Sequence, residues 1–335
     1  MSASLASADR VLVRLPNWLG DALMARPFLH ALRRRAARAR ITAWGPGPLL
    51  ELLAADATFD DAVTLPGSPR GVGEPAFDVA CVLPPSFSSA WRALACGART
   101  RLGFASEGRS PLLTHAQRRP ARGERHLAGE YLDLIGEYGA PEAPPALVPP
   151  EAGRRAAAAR LTEAGFSDRR LAVLAPGAVY GAAKRWPLER FAELARALAR
   201  AGLVVLACGG ADERGACDAL AAPGAGAAAS FAGRTGLAEQ AALCAAADVV
   251  VSNDSGMAHL AAAVGAPTVA IFGSTSSAWT APLGARVRVV QHAPVCAPCF
   301  RRDCRIGYRC LTAVSVAEVA GAALEMRALA RGTPA

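Results

Sequence analysis

Five prolines fall within eleven residues near the middle of the chain, at 141, 144, 145, 149 and 150. No helix or strand interior accommodates that density, because proline fixes φ and lacks an N–H donor. The chain must therefore fold as two parts joined by a linker at 140–150, and its 335 residues suffice for two domains. The expected domains are 1–150, ending in that linker, and 151–335. On both sides, short apolar runs alternate with segments of helical period. Before the linker, strands are predicted at 11–14, 41–44, 62–65 and 77–83, and helices at 19–38, 49–54, 86–96 and 124–138. After it, helices at 151–165, 188–201, 213–221, 237–246 and 256–264 alternate with strands at 171–175, 203–207, 248–252 and 268–272. This rhythm predicts an α/β fold of two mostly parallel, doubly wound, Rossmann-like sheets. Ligands of such sheets bind beyond the carboxyl ends of the strands, so a cleft between the domains is expected to gather the site.

Composition narrows the partners. The chain is 52% hydrophobic and 19% charged, which indicates a globular protein. Its net charge is +9, which points to an anionic partner such as phosphate, nucleic acid or an acidic membrane surface. Asp9 and Arg10 interrupt the N-terminus before a secretory apolar core can form. The long uncharged run after Asp254 is broken by Gly256, His259, Gly265, Pro267 and Gly273, so a membrane span is not expected there. A cytoplasmic, soluble or peripherally bound protein is expected, and its nine cysteines argue against a disulfide framework in that compartment.

Of 37 basic residues, 36 are arginine, and the one lysine is Lys184. Lysine is a compact point charge and arginine a broad planar fork, so the exception suits a crowded phosphate or a developing anion. Its setting argues against chance, because it lies in a glycine-bearing loop, with Gly177, between a predicted strand and helix. Such a loop offers N–H donors to phosphate, although the Walker spacing is absent. Three other loops follow predicted strands. In the first, Asn17, Gly20 and Asp21 stand at a helix start, where Asp21 is either a helix cap or a general base. Next, Gly209 and Gly210 precede Asp212 and Glu213, a tight turn or a ribose-binding acid. The last holds Asp254, Ser255, Gly256 and His259, a carboxylate and a hydroxyl at a helix N-terminus. Together with the lysine loop it points to a nucleotide-diphosphate site.

Cys296, Cys299, Cys304 and Cys310 lie within fifteen residues, a density compatible with a closed structural zinc or iron site or with free thiols. The remaining five cysteines sit in apolar surroundings and are expected in the core. Two basic runs, Arg33 to Arg40 and Arg118 to Arg125, read either as solvated faces or as platforms for anionic lipid or a phosphorylated acceptor. No RNA-binding aromatic signature accompanies them.

The loops assembled in this order resemble the bacterial lipopolysaccharide heptosyltransferases, glycosyltransferase family 9, over about residues 11–319. The motifs that carry the resemblance are Asn17-Trp18-Leu19-Gly20-Asp21, Pro176-Gly177 with Ala183-Lys184-Arg185-Trp186-Pro187, and Asn253-Asp254-Ser255-Gly256 with His259. Trp18 and the Ala-Lys-Arg-Trp-Pro string favour the branch that adds heptose to the first heptose of the inner core. The resemblance implies a GT-B fold and an inverting reaction that needs no metal or other cofactor. It implies ADP-heptose as donor, Kdo-lipid A or lipopolysaccharide core as acceptor, peripheral contact with the inner face of the inner membrane, and no nucleic acid. It implies Asp21 as the base and Lys184 as the group that stabilises departing ADP. Gly177, Glu213, Asp254, Ser255, Gly256 and His259 would hold the donor. Asn17, Gly20, Arg122 and Arg125 would meet the acceptor. Other members of the family, an epimerase of similar architecture, and a non-catalytic nucleotide-sugar-binding protein are the competing readings.

Overall fold

A computed structural model describes residues 5–69 and 76–329. Residues 1–4 and 330–335, the outer ends of the two expected domains, lie outside the described residues. The chain divides into two compact units, Met1–Pro144 and Pro145–Ala335, so the division falls inside the proline-rich segment.

The first unit carries six strands, β1 (Arg10–Arg14), β2 (Arg40–Gly45), β3 (Asp61–Thr64), β4 (Val79–Val82), β5 (Thr100–Ala105) and β6 (His115–Arg118). They pair in parallel in the order β3-β2-β1-β4-β5-β6. The second unit repeats the pattern with β7 (Leu171–Ala175), β8 (Val204–Ala207), β9 (Ala229–Ser230), β10 (Val249–Asn253), β11 (Thr268–Phe272) and β12 (Val287–Gln291). Their order is β12-β11-β10-β7-β8-β9, again parallel throughout. Each sheet therefore has the doubly wound Rossmann order, and the winding reverses between β1 and β4 in one unit and between β7 and β10 in the other. The α/β architecture is that of the GT-B class.

Central strands of such sheets are covered on both faces and read as unbroken apolar runs. The Leu-Ala-Val-Leu-Ala of β7 is buried at every position. Covering helices bury one stripe only. In Leu188–Arg200 the buried residues are Phe191, Leu194, Ala195 and Leu198, a spacing that keeps them on one face. Glu189 in its first turn and Arg200 in its last complement the helix dipole. Trp186, buried just before this helix, meets Phe191 edge-on at 5.1 Å and donates its indole N–H to Val314 O at 3.1 Å.

The single helix expected over 19–38 is instead two, Leu19–Met24 and Arg26–Arg35. Pro27 cannot donate to the carbonyl four residues before it, so the first helix stops short. Arg26 is buried at the junction and paired with Asp56 at 2.6 Å. Strands β5, β6, β9 and β12 and the helix Val316–Leu329 complete the units beyond the predicted elements. Among the described residues no helix is long and apolar enough to cross a membrane.

Candidate active site

In the second unit, four loops converge at the carboxyl edges of β7, β8, β10 and β11. The β7 loop runs through Gly177 and a short 3-10 turn, Ala182–Lys184, before Trp186 anchors it in the core. Its two ends are held by one side chain, Asn253, fully buried at the end of β10. Asn253 Nδ2 donates to Pro176 O at 2.7 Å, and its Oδ1 accepts from the Trp186 N–H at 3.0 Å. A buried amide can be satisfied in this way only if the loop returns to the same point, so Asn253 fixes the loop's width.

Lys184 then reaches Asp254, the next residue of that strand end. Its Nζ lies 2.6 Å from Asp254 Oδ2, with the two side chains only 14% and 3% exposed. The Thr275 hydroxyl, buried after β11, donates to the same Oδ2. The ammonium also lies 4.9 Å from the centroid of the Tyr180 ring. Gly273 lets the β11 loop press against this turn, since a Cβ there would stand 2.6 Å from Ala183 O. Ser274 continues the contact by donating its N–H to Ala183 O at 3.2 Å.

Ser255 caps the helix Gly256–Ala263, its hydroxyl accepting from the Met257 N–H. The hydroxyls of Ser252 and Ser255 lie 3.1 Å apart. His259 is 6% exposed on the same helix. Glu213 lies across the β7 and β8 edges. Its Oε2 accepts from the Gly210 N–H at 2.8 Å, and its carboxylate occupies the space that a Cβ on Gly177 would need. Gly177 is thus a glycine because an acid is folded over it. Gln240, 8% exposed, donates to Gly209 O at 3.2 Å and steadies the paired glycines.

In the first unit, Asn17, Gly20 and Asp21 occupy the loop and helix start after β1. Trp18, 65% exposed, stands at the N-cap of Leu19–Met24, and Asp21 is in its first turn. Asp21 faces Tyr131 on the helix Leu127–Asp133. Burial first, then the charges of Asp21 and Glu130, push the Tyr131 hydroxyl well above its usual range, despite Arg119 nearby. Arg119 pairs with the fully buried Glu130 at 2.6 Å and stacks over Phe104. Of the two expected acceptor arginines, Arg122 is exposed, whereas Arg125 turns inward to Asp133 at 3.0 Å and Gly139 O at 2.7 Å.

Sequence reading passed over two arginines here. Arg14, at the end of β1, is 4% exposed and Arg109 fully buried. Arg109 ties the strand ends together, donating to Phe104 O at 2.8 Å and to Pro84 O and Ser86 O. Arginine in a strand or turn carries no periodic signal that marks it as interior. The basic run near residue 33 is largely consumed by ion pairs, Arg33 with Asp60, Arg35 with Glu137 and Arg40 with Asp61.

The cysteine segment is not gathered into a metal-binding group: among the described residues no group of three or more His, Cys, Asp or Glu side chains is placed to hold a metal ion. Cys296 and Cys299 are exposed, while Cys310 turns into the core beside Leu311. Cys304 Sγ accepts from the Ile306 and Tyr308 N–H groups at 3.4 and 3.2 Å. The segment instead packs on the lysine loop: the Ala183 N–H donates to Arg302 O at 2.9 Å, and the Tyr180 hydroxyl donates to Phe300 O. Burial pushes the thiols of Cys81, Cys217 and Cys244 up to about 12, as befits core residues.

These loops can be set beside known proteins. Residues 69–309 match the family described as glycosyltransferase family 9 (heptosyltransferase). Lipopolysaccharide heptosyltransferase 2 of Salmonella typhimurium strain LT2 is 33% identical over 306 residues, covering 84% of this chain and 88% of the relative. The protein of the same name from Escherichia coli K12 is 32% identical over 305 residues, with the same coverage. The structure of E. coli ADP-heptose LPS heptosyltransferase II superposes with a TM-score of 0.79 at 27% identity, covering 96% of this chain and all of that one. The chain belongs to glycosyltransferase family 9, the heptosyltransferases.

Proposed function

We propose that this enzyme transfers heptose from ADP-L-glycero-D-manno-heptose to the first heptose of the lipopolysaccharide inner core, with inversion at the anomeric carbon. The observation that carries the reading is the placement of the chain's one lysine. In a member of the heptosyltransferase family, Lys184 stands at the β7–β10 reversal, 2.6 Å from Asp254. That is where a doubly wound sheet binds a nucleotide. Similarity to relatives named lipopolysaccharide heptosyltransferase 2 supports the donor and acceptor classes.

In this reading the second unit, with Gly177, Glu213, Asp254, Ser255, Gly256 and His259, holds ADP-heptose. Glu213, which holds the Gly210 N–H, accepts from the adenosine ribose hydroxyls. Asp21 takes the proton from the acceptor hydroxyl, whose oxygen attacks the anomeric carbon as the bond to ADP breaks. Lys184 and the helix N-terminus at Gly256 meet the negative charge that develops on the diphosphate. The side chains supply a base and a cation, so the displacement proceeds without a metal. Asn17, Gly20, Arg122 and Arg125 receive the acceptor in the first unit, and the exposed arginines Arg34, Arg38 and Arg118 rest on an anionic membrane surface.

The test is acceptor-dependent ADP release. Protein in EDTA is given ADP-heptose with and without mono-heptosylated Kdo-lipid A. Release that requires the acceptor, with a diheptosylated product by mass spectrometry, is expected. Donor binding without transfer to that acceptor would refute the assignment.

A further inference from the structure

A crevice of about 400 Å³ opens where the winding of the first sheet reverses, lined by Arg14 at the end of β1, Asn17 beyond it, Ser86, Ser88, Ser89 and Arg92 after β4, and the apolar Leu65 and Pro66 after β3. Arg14 is only 4% exposed. Its Nη2 donates to Asn17 Oδ1 at 2.6 Å and its Nη1 to the carbonyls of Leu15 and Trp44. Its Nε has no hydrogen-bond partner among the described residues. Among the described residues the hydrogen-bond acceptors of Arg14 are all neutral, and its guanidinium lies 5.8 Å from the Trp44 ring centroid, so this buried cation has no carboxylate partner there. Burial, and then the second cation Arg92, lower its pKa to about 10. A buried charge left uncompensated is costly, and a like charge beside it raises the cost.

The opposite wall is the N-terminus of the nine-residue helix Phe87–Ala95, capped by Ser86. The Phe87 N–H donates to Glu107 and that of Ser89 to Ser86, while that of Ser88 has no acceptor among the described residues. Arg109 holds this wall in place through Pro84 O and Ser86 O. Two guanidiniums, three hydroxyls and a helix N-terminus, whose first N–H is taken by Glu107, line one crevice, a set of groups suited to a tetrahedral oxyanion.

We propose that this crevice is a subsite for a phosphate monoester carried by the acceptor saccharide, held between Arg14 and Arg92 at the N-terminus of the helix Phe87–Ala95. The acceptor-borne source rests on the transfer reaction proposed above; the oxyanion chemistry does not.

Inorganic phosphate titrated calorimetrically into the wild type, Arg92→Gln and Arg99→Gln tests the pocket without turnover. Arg92 is exposed, so its loss leaves the fold intact, and Arg99 lies at the opposite end of the sheet, at the start of β5. Binding weakened about tenfold in Arg92→Gln, as the loss of one charge-assisted bond requires, and unchanged in Arg99→Gln is expected. Equal weakening in both variants, or no binding by the wild type, would overturn the subsite. The second arm compares phosphorylated acceptor with the same acceptor after phosphatase treatment. Arg92→Gln should raise KM about tenfold for the former only. Equal effects on both acceptors would exclude the acceptor as the source of the phosphate. If no acceptor is turned over, the transfer reading fails while the phosphate titration still decides the pocket.

Discussion

Lys184 shows how much one residue can be asked to do. Its ammonium reaches Asp254 through a gap bounded by Tyr180 and the Ala182–Lys184 turn. Arginine keeps the charge but needs room for a planar fork. Lys184→Arg should therefore lower kcat by about 10²-fold, the scale of losing one preorganised electrostatic contact, with far less effect on unfolding. Steady-state kinetics beside urea denaturation checks it, and a normal kcat in the Lys184→Arg enzyme would remove the lysine from the mechanism. Such residues were legible because composition made Lys184 an exception and because Asp21 and Asp254 follow strands. Asn253 was visible only as part of a motif. Its task, joining Pro176 O to the Trp186 N–H, depends on a neighbouring strand that spacing does not reveal. Arg14 and Arg109 were hidden for a related reason: what buries them is contributed by chain far away in sequence.

Elements position these residues, and their junctions are the sensitive points. Asn253→Ala leaves a buried N–H and a buried carbonyl unpaired, so it should destabilise the protein by about 1–3 kcal/mol. It should also lower kcat/KM, because the lysine loop loses its brace. Urea unfolding and kinetics on the same preparation test both. Arg26 and Asp56 form the other such junction. Burial raises the Asp56 pKa, but Arg26 and His30 outweigh it and leave the carboxyl below its ordinary value. A depressed carboxylate contributes stability above its unfolded pKa of about 4 and loses it as pH falls through the folded value. Asp56→Asn should cost about 3–5 kcal/mol at pH 7, as breaking a buried pair does. The gap from wild type should close as the pH drops below about 4. A gap independent of pH would mean the pair contributes through packing alone. Buried strands such as β7 were readable as apolar runs, whereas β6 is mostly exposed and β12 alternates at a sheet edge, so neither shows such a run. The break at Ala25 was readable in Pro27, yet the apolar positions on both sides masked it.

At the scale of the whole molecule, the prolines at 144 and 145 mark where the two units part, and each unit repeats one strand order. That order explains why function could be approached from sequence: Asn17, Gly20 and Asp21 after β1, Gly177 and Lys184 after β7 and Asp254, Ser255 and Gly256 after β10 lie next to a winding reversal, whereas Glu213 follows β8 and Arg122 and Arg125 follow the edge strand β6. The net charge of +9 belongs to this scale as well. If the exposed arginines meet a membrane, cosedimentation with vesicles rich in anionic lipid should fall steeply between about 0.05 and 0.5 M salt, as screening shortens. Binding indifferent to salt would exclude that contact. The central claim, however, is that Asp21 removes the proton in an inverting transfer. Its most direct test is Asp21→Asn beside wild type, in the acceptor-dependent ADP-release assay, with donor affinity measured separately. The predicted result is ADP release lowered by at least about 10²-fold with the affinity for ADP-heptose unchanged. A variant that still transfers heptose at close to the wild-type rate would contradict it.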